Sequence, residues 1–280
     1  MESESTLSTF VAADGENIAV QDWHVDPGDK PRGVVLLVHG LGEHAGRYEN
    51  VALQLNSWGF GVRGYDQYGH GESGGVRGGL PSDTRLIDDL ADIVDSTRSR
   101  FGSARPLILL GHSMGGLVAS RFVGLGVRKV EGLVMTSPAL DPGLSAVQKA
   151  LLATLPRWLP NLRVGNGVNP DFVSRDRAVV AAYRADRLVH DRISARFGKF
   201  IADGGAATLA EAPHWSLPTL LMFAGQDKLV NPKGSRAFAA AAPKSVVTTH
   251  CFDALYHEIF NEPEQAKVLA RLKTWLDARF

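Results

Sequence analysis

The decapeptide "LLGHSMGGLV", residues 109–118, sets a single hydroxyl among glycines at the junction of two apolar runs. The run before it, "PLILLGH" (106–112), reads as a strand buried on both faces. Residues 114–124 after it carry a helical pattern. Gly111-His112-Ser113-Met114-Gly115 is therefore a Gly-x-Ser-x-Gly sequence at a strand-to-helix turn. That context belongs to a nucleophile elbow, in which the serine projects above the carboxyl ends of a sheet's strands. The alternative is a helix-capping serine with ordinary turn glycines. The strand on one side and the helix on the other favour the elbow.

Working outward, the same alternation recurs. "GVVLLVHG" (33–40), "FGVRGYD" (60–66), "EGLVMTSP" (131–138), "PTLLMFAG" (218–225) and "SVVTTHCF" (245–252) read as further strands. Helical stretches fall at 49–57, 84–101, 233–241 and 263–278, and Leu86, Leu90 and Ile93 share one face of the second. Strands alternating with helices imply an α/β fold, a mostly parallel central sheet flanked by helices. The alternation breaks over 142–214, where no strand is convincing. "LSAVQKALLATLPRWLP" (144–160) brings Leu144, Val147, Leu151 and Leu155 to helical spacing, and Pro156 is expected to stop that helix. A second helical piece, "RAVVAAYRADRLV" (177–189), follows a Gly/Asn/Pro-rich joint at 165–170. The expected organisation is a core over 1–141, a helical cap over 142–214, and the rest of the core over 215–280.

Composition bounds what such a chain can do. Its 280 residues are 44% hydrophobic and 21% charged, ample for a sizeable core. Thirty basic residues balance thirty acidic ones, so net charge gives no reason to expect nucleic acid as a partner. Cys251 is the only cysteine, which excludes an internal disulfide and a cysteine-based metal cluster. The N-terminus "MESESTLSTF" lacks the basic and apolar regions of a signal peptide, and no apolar run reaches membrane-spanning length. A cytoplasmic protein, free or peripheral to a membrane, is expected. No histidine pair has helical ligand spacing beside an acid, so neither a metal nor another cofactor is expected.

A serine hydroxyl is a poor nucleophile until a base removes its proton, and the base needs a carboxylate to orient it. In this fold the chain order is serine, acid, histidine. His257, in "DALYHEIFNEP" (253–263), lies after the last strand and before the last helix, where a loop can carry it over Ser113. His190 and His214 fall in or beside the insertion, and His250 within the last strand. The expected acid is Asp227, in the turn "FAGQDKLVNP" (223–232); its rival is Asp141, after the strand 131–138. Asp227 could instead be a turn-capping residue. Acyl transfer also needs donors for an oxyanion. The backbone N–H groups of Met114 and of Leu41, in "VHGLGEH" (38–44), are the candidates.

With those residues in place, "HGLGEHAGRY" (39–48), "YDQYGHGESGG" (65–75), "GHSMGG" (111–116), "GQDKLV" (225–230) and "YHEIFNEPE" (256–264) together resemble the monoacylglycerol lipase family. The likeness is closest to its bacterial members described as lysophospholipases. It spans nearly the whole chain and is weakest in the insertion. It implies an α/β-hydrolase fold with a cap, acting on a fatty acyl glycerol without a cofactor. Ser113, Asp227 and His257 fall on the family's triad, Leu41 and Met114 on its oxyanion hole. Glu43 and Arg47 match a pair that shapes the pocket for the glycerol head, and Tyr183 matches a cap tyrosine near that head. The alternatives are that Glu43 and Arg47 do no more than pair with each other and that Tyr183 only packs the cap. Tyr68 departs from the arginine common in relatives, and "ADRLV" (185–189) from a common Asp-Pro-Leu.

Leu144, Val147, Leu151, Leu155, Trp158 and Leu159 of the cap line an acyl path, touch a lipid surface, or pack the cap on the sheet; packing is the expectation for each singly. The functional expectation is hydrolysis of monoacylglycerols through an acyl-enzyme, with transient membrane contact through the cap. The alternatives are lysophospholipids, short-chain or xenobiotic esters, or a binding protein that keeps the fold without turnover.

Overall fold

A computed structural model describes residues 5–23 and 30–280. Its strands are β1 (Ser5–Val11), β2 (Asn17–Trp23), β3 (Gly33–Val38), β4 (Phe60–Tyr65), β5 (Leu107–His112), β6 (Gly132–Thr136), β7 (Arg163–Gly165), β8 (Arg192–Ser194), β9 (Thr219–Ala224) and β10 (Val247–Phe252). Eight of them form one sheet in the order β1-β2-β4-β3-β5-β6-β9-β10. β1–β2 and β2–β4 pair antiparallel and the remaining neighbours pair parallel.

The continuous apolar strands are explained by cover on both faces. Along β3, Val34, Leu36 and Val38 join one core cluster while Val35 and Leu37 join the other. The first cluster is closed by α2 (Arg85–Phe101), through Leu86, Leu90 and Ile93, and by α3 (Met114–Gly124). The second is closed by α1 (Glu49–Ser57), through Val51 and Leu55, and by Val268, Leu272 and Trp275 near the C-terminus. Each fully buried Leu or Phe of these clusters contributes about 1.5–3 kcal/mol. Two covered faces leave the carboxyl edge of the parallel strands as the place for a site.

The expected parallel strands are all present. The sequence reading missed the hairpin β1–β2, because "STLSTFV" shows no apolar alternation. β1 is an edge strand with mostly exposed side chains, so little burial marks it.

The segment 142–214 holds α4 (Ala146–Trp158), α5 (Arg177–Ala185) and α6 (Ala195–Glu211). Contrary to expectation it also contains strands: β7 and β8 pair antiparallel over three residues each. They are too short and too exposed to show a period. Pro156 does not stop α4, which runs on to Trp158. Placed in the last turn, the proline removes one hydrogen bond, and Leu159 N–H still reaches the Leu155 carbonyl at 2.8 Å. The α4 stripe does not pack on the sheet either: Val147, Leu151, Leu159 and, at 83% exposure, Trp158 face outward. α7 (Pro232–Ala241) and α8 (Gln265–Asp277) complete the fold.

Candidate active site

Ser113 sits between β5 and α3 with φ 52° and ψ −119°, a left-handed conformation that strains a residue with a Cβ. The glycines permit it. A Cβ on Gly115 would lie 2.0 Å from the Val38 carbonyl oxygen, so only glycine lets α3 start so close to β3. The loop after β3 passes directly beside the serine: a Cβ on Gly40 would lie 3.3 Å from Ser113 Cβ. Leu41 and Met114, the expected oxyanion donors, border the same cavity as Ser113.

His257 is brought to that cavity by the loop between β10 and α8. Its Nδ1 bonds Asp227 Oδ2 at 2.7 Å. Asp227 Oδ1 accepts the N–H groups of Leu229 and Val230, both at 2.9 Å. Turn capping and imidazole binding thus occupy different oxygens of one carboxylate. Burial alone would raise the Asp227 carboxyl, but His257 and the two backbone donors hold it below the usual range. Burial would likewise lower His257, yet Asp227, followed by Glu258 and Glu43, raises it above 6.5. Asp141 is engaged elsewhere, by Asn231 Nδ2 and the Gly143 N–H. No hydrogen bond joins Ser113 Oγ to His257 in this conformation; such contacts often tighten only in the Michaelis complex.

Glu43 and Arg47 do pair, at 2.7 Å, and the pair reaches further than expected. Glu43 Oε1 accepts the Gly40 N–H at 2.5 Å and the Tyr48 hydroxyl at 2.6 Å, fixing the loop that carries Leu41. The Tyr183 ring lies 4.5 Å from the Arg47 guanidinium and borders the cavity.

Three neighbours escaped the sequence reading. Glu258 takes Arg47 through both oxygens, at 2.7 and 2.8 Å, and its own N–H donates to the Val173 carbonyl of the 142–214 segment at 2.8 Å. Ser137, also at positive φ, donates to the His257 carbonyl at 2.9 Å. The His112 ring packs 4.7 Å from that of His257; burial, and then His257, push it down to about 4. The only signal for Glu258 was its position beside His257. Ser137 stood unmarked at the end of a predicted strand.

The cavity above these residues is lined by the polar Ser113, His257, Glu43 and Glu258 and, over more of its wall, by apolar side chains, Leu144, Leu152, Ile201 and Val230 among them. A strained serine beside a carboxylate-bound imidazole is an acyl-transfer arrangement.

Residues 29–264 match the profile of the family described as serine aminopeptidase S33. The chain is 34% identical to the monoacylglycerol lipase of Mycolicibacterium smegmatis, over 96% of this chain and 95% of that protein. It is 32% identical to an uncharacterized abhydrolase domain-containing protein of Dictyostelium discoideum over 98% of this chain, which spans only 29% of that longer protein. The crystal structure of Paleococcus ferrophilus monoacylglycerol lipase superposes with a TM-score of 0.82 at 35% identity, covering 95% of this chain and 99% of that one. With the sheet order, the elbow and matches over nearly its full length in agreement, the chain belongs to the serine aminopeptidase S33 family of α/β-hydrolases and groups there with the monoacylglycerol lipases.

Proposed function

We propose that this chain hydrolyses monoacylglycerols to fatty acid and glycerol through an acyl-enzyme on Ser113. His257 takes the serine proton and returns it to the leaving glycerol. Asp227 holds the imidazole in the required tautomer and stabilises its charged form. The N–H groups of Leu41 and Met114 receive the oxyanion. Water, activated by His257, then releases the fatty acid. The carrying observation is the Asp227–His257 bond at the edge of a cavity that Ser113 shares and that is lined mostly by apolar groups. The apolar lining suits an alkyl chain, at about 0.8 kcal/mol per buried methylene.

The segment 142–214 acts as the cap over this cavity. The exposed Val147, Leu151, Trp158 and Leu159 of α4 suit transient contact with a lipid surface, from which the substrate is drawn. No helix of the described residues is long and apolar enough to cross a membrane.

The test is labelling by a fluorophosphonate followed by product analysis with monoacylglycerols and nitrophenyl esters. Ser113 labelling with release of glycerol, both lost in Ser113→Ala, is expected. An unlabelled Ser113 would favour a binding protein, and a strong preference for short, glycerol-free esters would overturn the lipid assignment.

A further inference from the structure

The polar lining of the cavity has a charge pattern that bears on which head group it admits. Glu43 and Glu258 both border it, and among the described residues lining it there is no lysine or arginine. The guanidinium nearby, Arg47, lies behind the two glutamates. Its Nη1 donates to Glu43 Oε2 and to Glu258 Oε1, both at 2.7 Å, and its Nη2 to Glu258 Oε2 at 2.8 Å. The Tyr183 ring covers it, and its side chain is only 10% exposed. Two carboxylates thus share one buried cation, and that cation does not line the cavity. Burial alone would raise the Glu43 carboxyl, but Arg47, with His112, His39 and the Tyr48 hydroxyl, holds it well below the usual range. The other cations near the cavity stand off to the side. Lys199 and Lys233 line a neighbouring cleft beyond Leu144 and Leu152, where Lys199 is paired with Asp203; Arg184 lines another and is paired with Asp171.

Resting on the function proposed above, we propose that Glu258 acts with Glu43 as a charge filter, so that the site accepts an uncharged polyol head group and rejects one bearing a phosphate next to the scissile ester. In an acylglycerol phosphate the phosphate follows the ester within one glycerol unit. Seating that ester at Ser113 therefore brings the anion against Glu258 and Glu43, with no lysine or arginine lining the cavity to receive it. Like charges that close, in a partly dry cavity, discriminate by about a hundredfold.

The test compares kcat/KM for an oleoyl glycerol, an oleoyl glycerol phosphate and an oleoyl glycerophosphocholine in neutral-detergent micelles, with wild type and Glu258→Gln. Wild type is expected to favour the uncharged substrate over the phosphate monoester by about a hundredfold, with the zwitterion between them. Glu258→Gln is expected to narrow that ratio at least tenfold, whatever it does to the absolute rates. Comparable wild-type rates, or a ratio unmoved by Glu258→Gln, would overturn the filter and leave the proposed function standing. Cleavage of neither the uncharged lipid nor the phosphate would overturn the function itself. Should Glu258→Gln not fold, wild type is inhibited with an alkyl ether of glycerol and its phosphate, using a nitrophenyl ester as reporter. Weaker inhibition by the phosphate upholds the filter, and equal or stronger inhibition overturns it.

Discussion

At the scale of single residues, the two candidate acids separate cleanly by their partners. Asp227 holds the imidazole of His257, whereas Asp141 holds Asn231. Asp227→Asn keeps the shape but presents the wrong hydrogen-bonding group to Nδ1, and is expected to lower kcat by about 10⁴. Asp141→Asn is expected to change kcat by less than about threefold, since it alters a contact outside the proton path. Steady-state kinetics on a soluble ester distinguishes the two. The pH profile follows from the sign of the shift. His257 must be neutral to accept the serine proton, and its partners raise its pKa above 6.5. Activity is therefore present at higher pH and lost as pH falls through a limb lying above 6.5. Asp227→Asn removes the main raising partner and is expected to move that limb down. A limb that stays in place would show that another group controls it.

At the scale of elements, the elbow depends on how closely α3 approaches β3. A Cβ on Gly115 would fall 2.0 Å from the Val38 oxygen and 2.4 Å from that of His39. Backbone on both sides leaves little room to relax. Gly115→Ala is expected to cost about 1–3 kcal/mol by overpacking, read from denaturant unfolding. Because residues 38–41 carry the Leu41 N–H, it is also expected to slow fluorophosphonate labelling.

The α4 helix offers a second case. Replacing Leu151 and Trp158 together with serine removes apolar surface that contacts nothing in the core, so stability is expected to change little. If the stripe meets a lipid surface, vesicle partitioning falls by about tenfold or more, given about 1.5–3 kcal/mol for each fully buried side chain. Unchanged partitioning would remove α4 from the membrane reading.

These elements also show what the sequence made legible. Core strands such as β3 and β5 announce themselves because both faces are covered, so every residue is apolar. β1 and β7 do not, since their side chains are largely exposed, and the three residues of β8, one exposed, one half-buried and one buried, are too few to show a period. The proposed triad was readable because its types and chain order are constrained by chemistry. Glu258 and Ser137 were not, because they act through bonds between segments far apart in the chain, Glu258 to Arg47 and Ser137 to the His257 carbonyl.

At the scale of the whole molecule, the segment 142–214, proposed as the cap, is built into the support of the cavity. Residues 173–175 lie along the loop that carries His257. Glu258 N–H donates to the Val173 carbonyl, Ser174 Oγ to the Asn261 carbonyl at 2.9 Å, and Arg175 N–H to Glu262 Oε1 at 2.6 Å. The Arg175 guanidinium also pairs with Glu262 and Glu264. On the opposite side, His190 N–H donates to the Gly42 carbonyl at 2.9 Å, one residue from Leu41. The segment 142–214 thus braces both the loop of His257 and the loop of Leu41. Arg175→Ala tests the first brace. The Glu262 side chain is fully buried, and without the guanidinium it keeps backbone donation but loses its cation. Because Arg175 is itself about one-third exposed, the expected cost is at the low end, about 1 kcal/mol, or a few degrees in Tm. If the brace positions His257, kcat on a soluble ester falls several-fold below the unfolding temperature, and Arg175→Lys recovers part of it. A lowered Tm with unchanged kcat would mean that the contact holds the cap down without setting the imidazole.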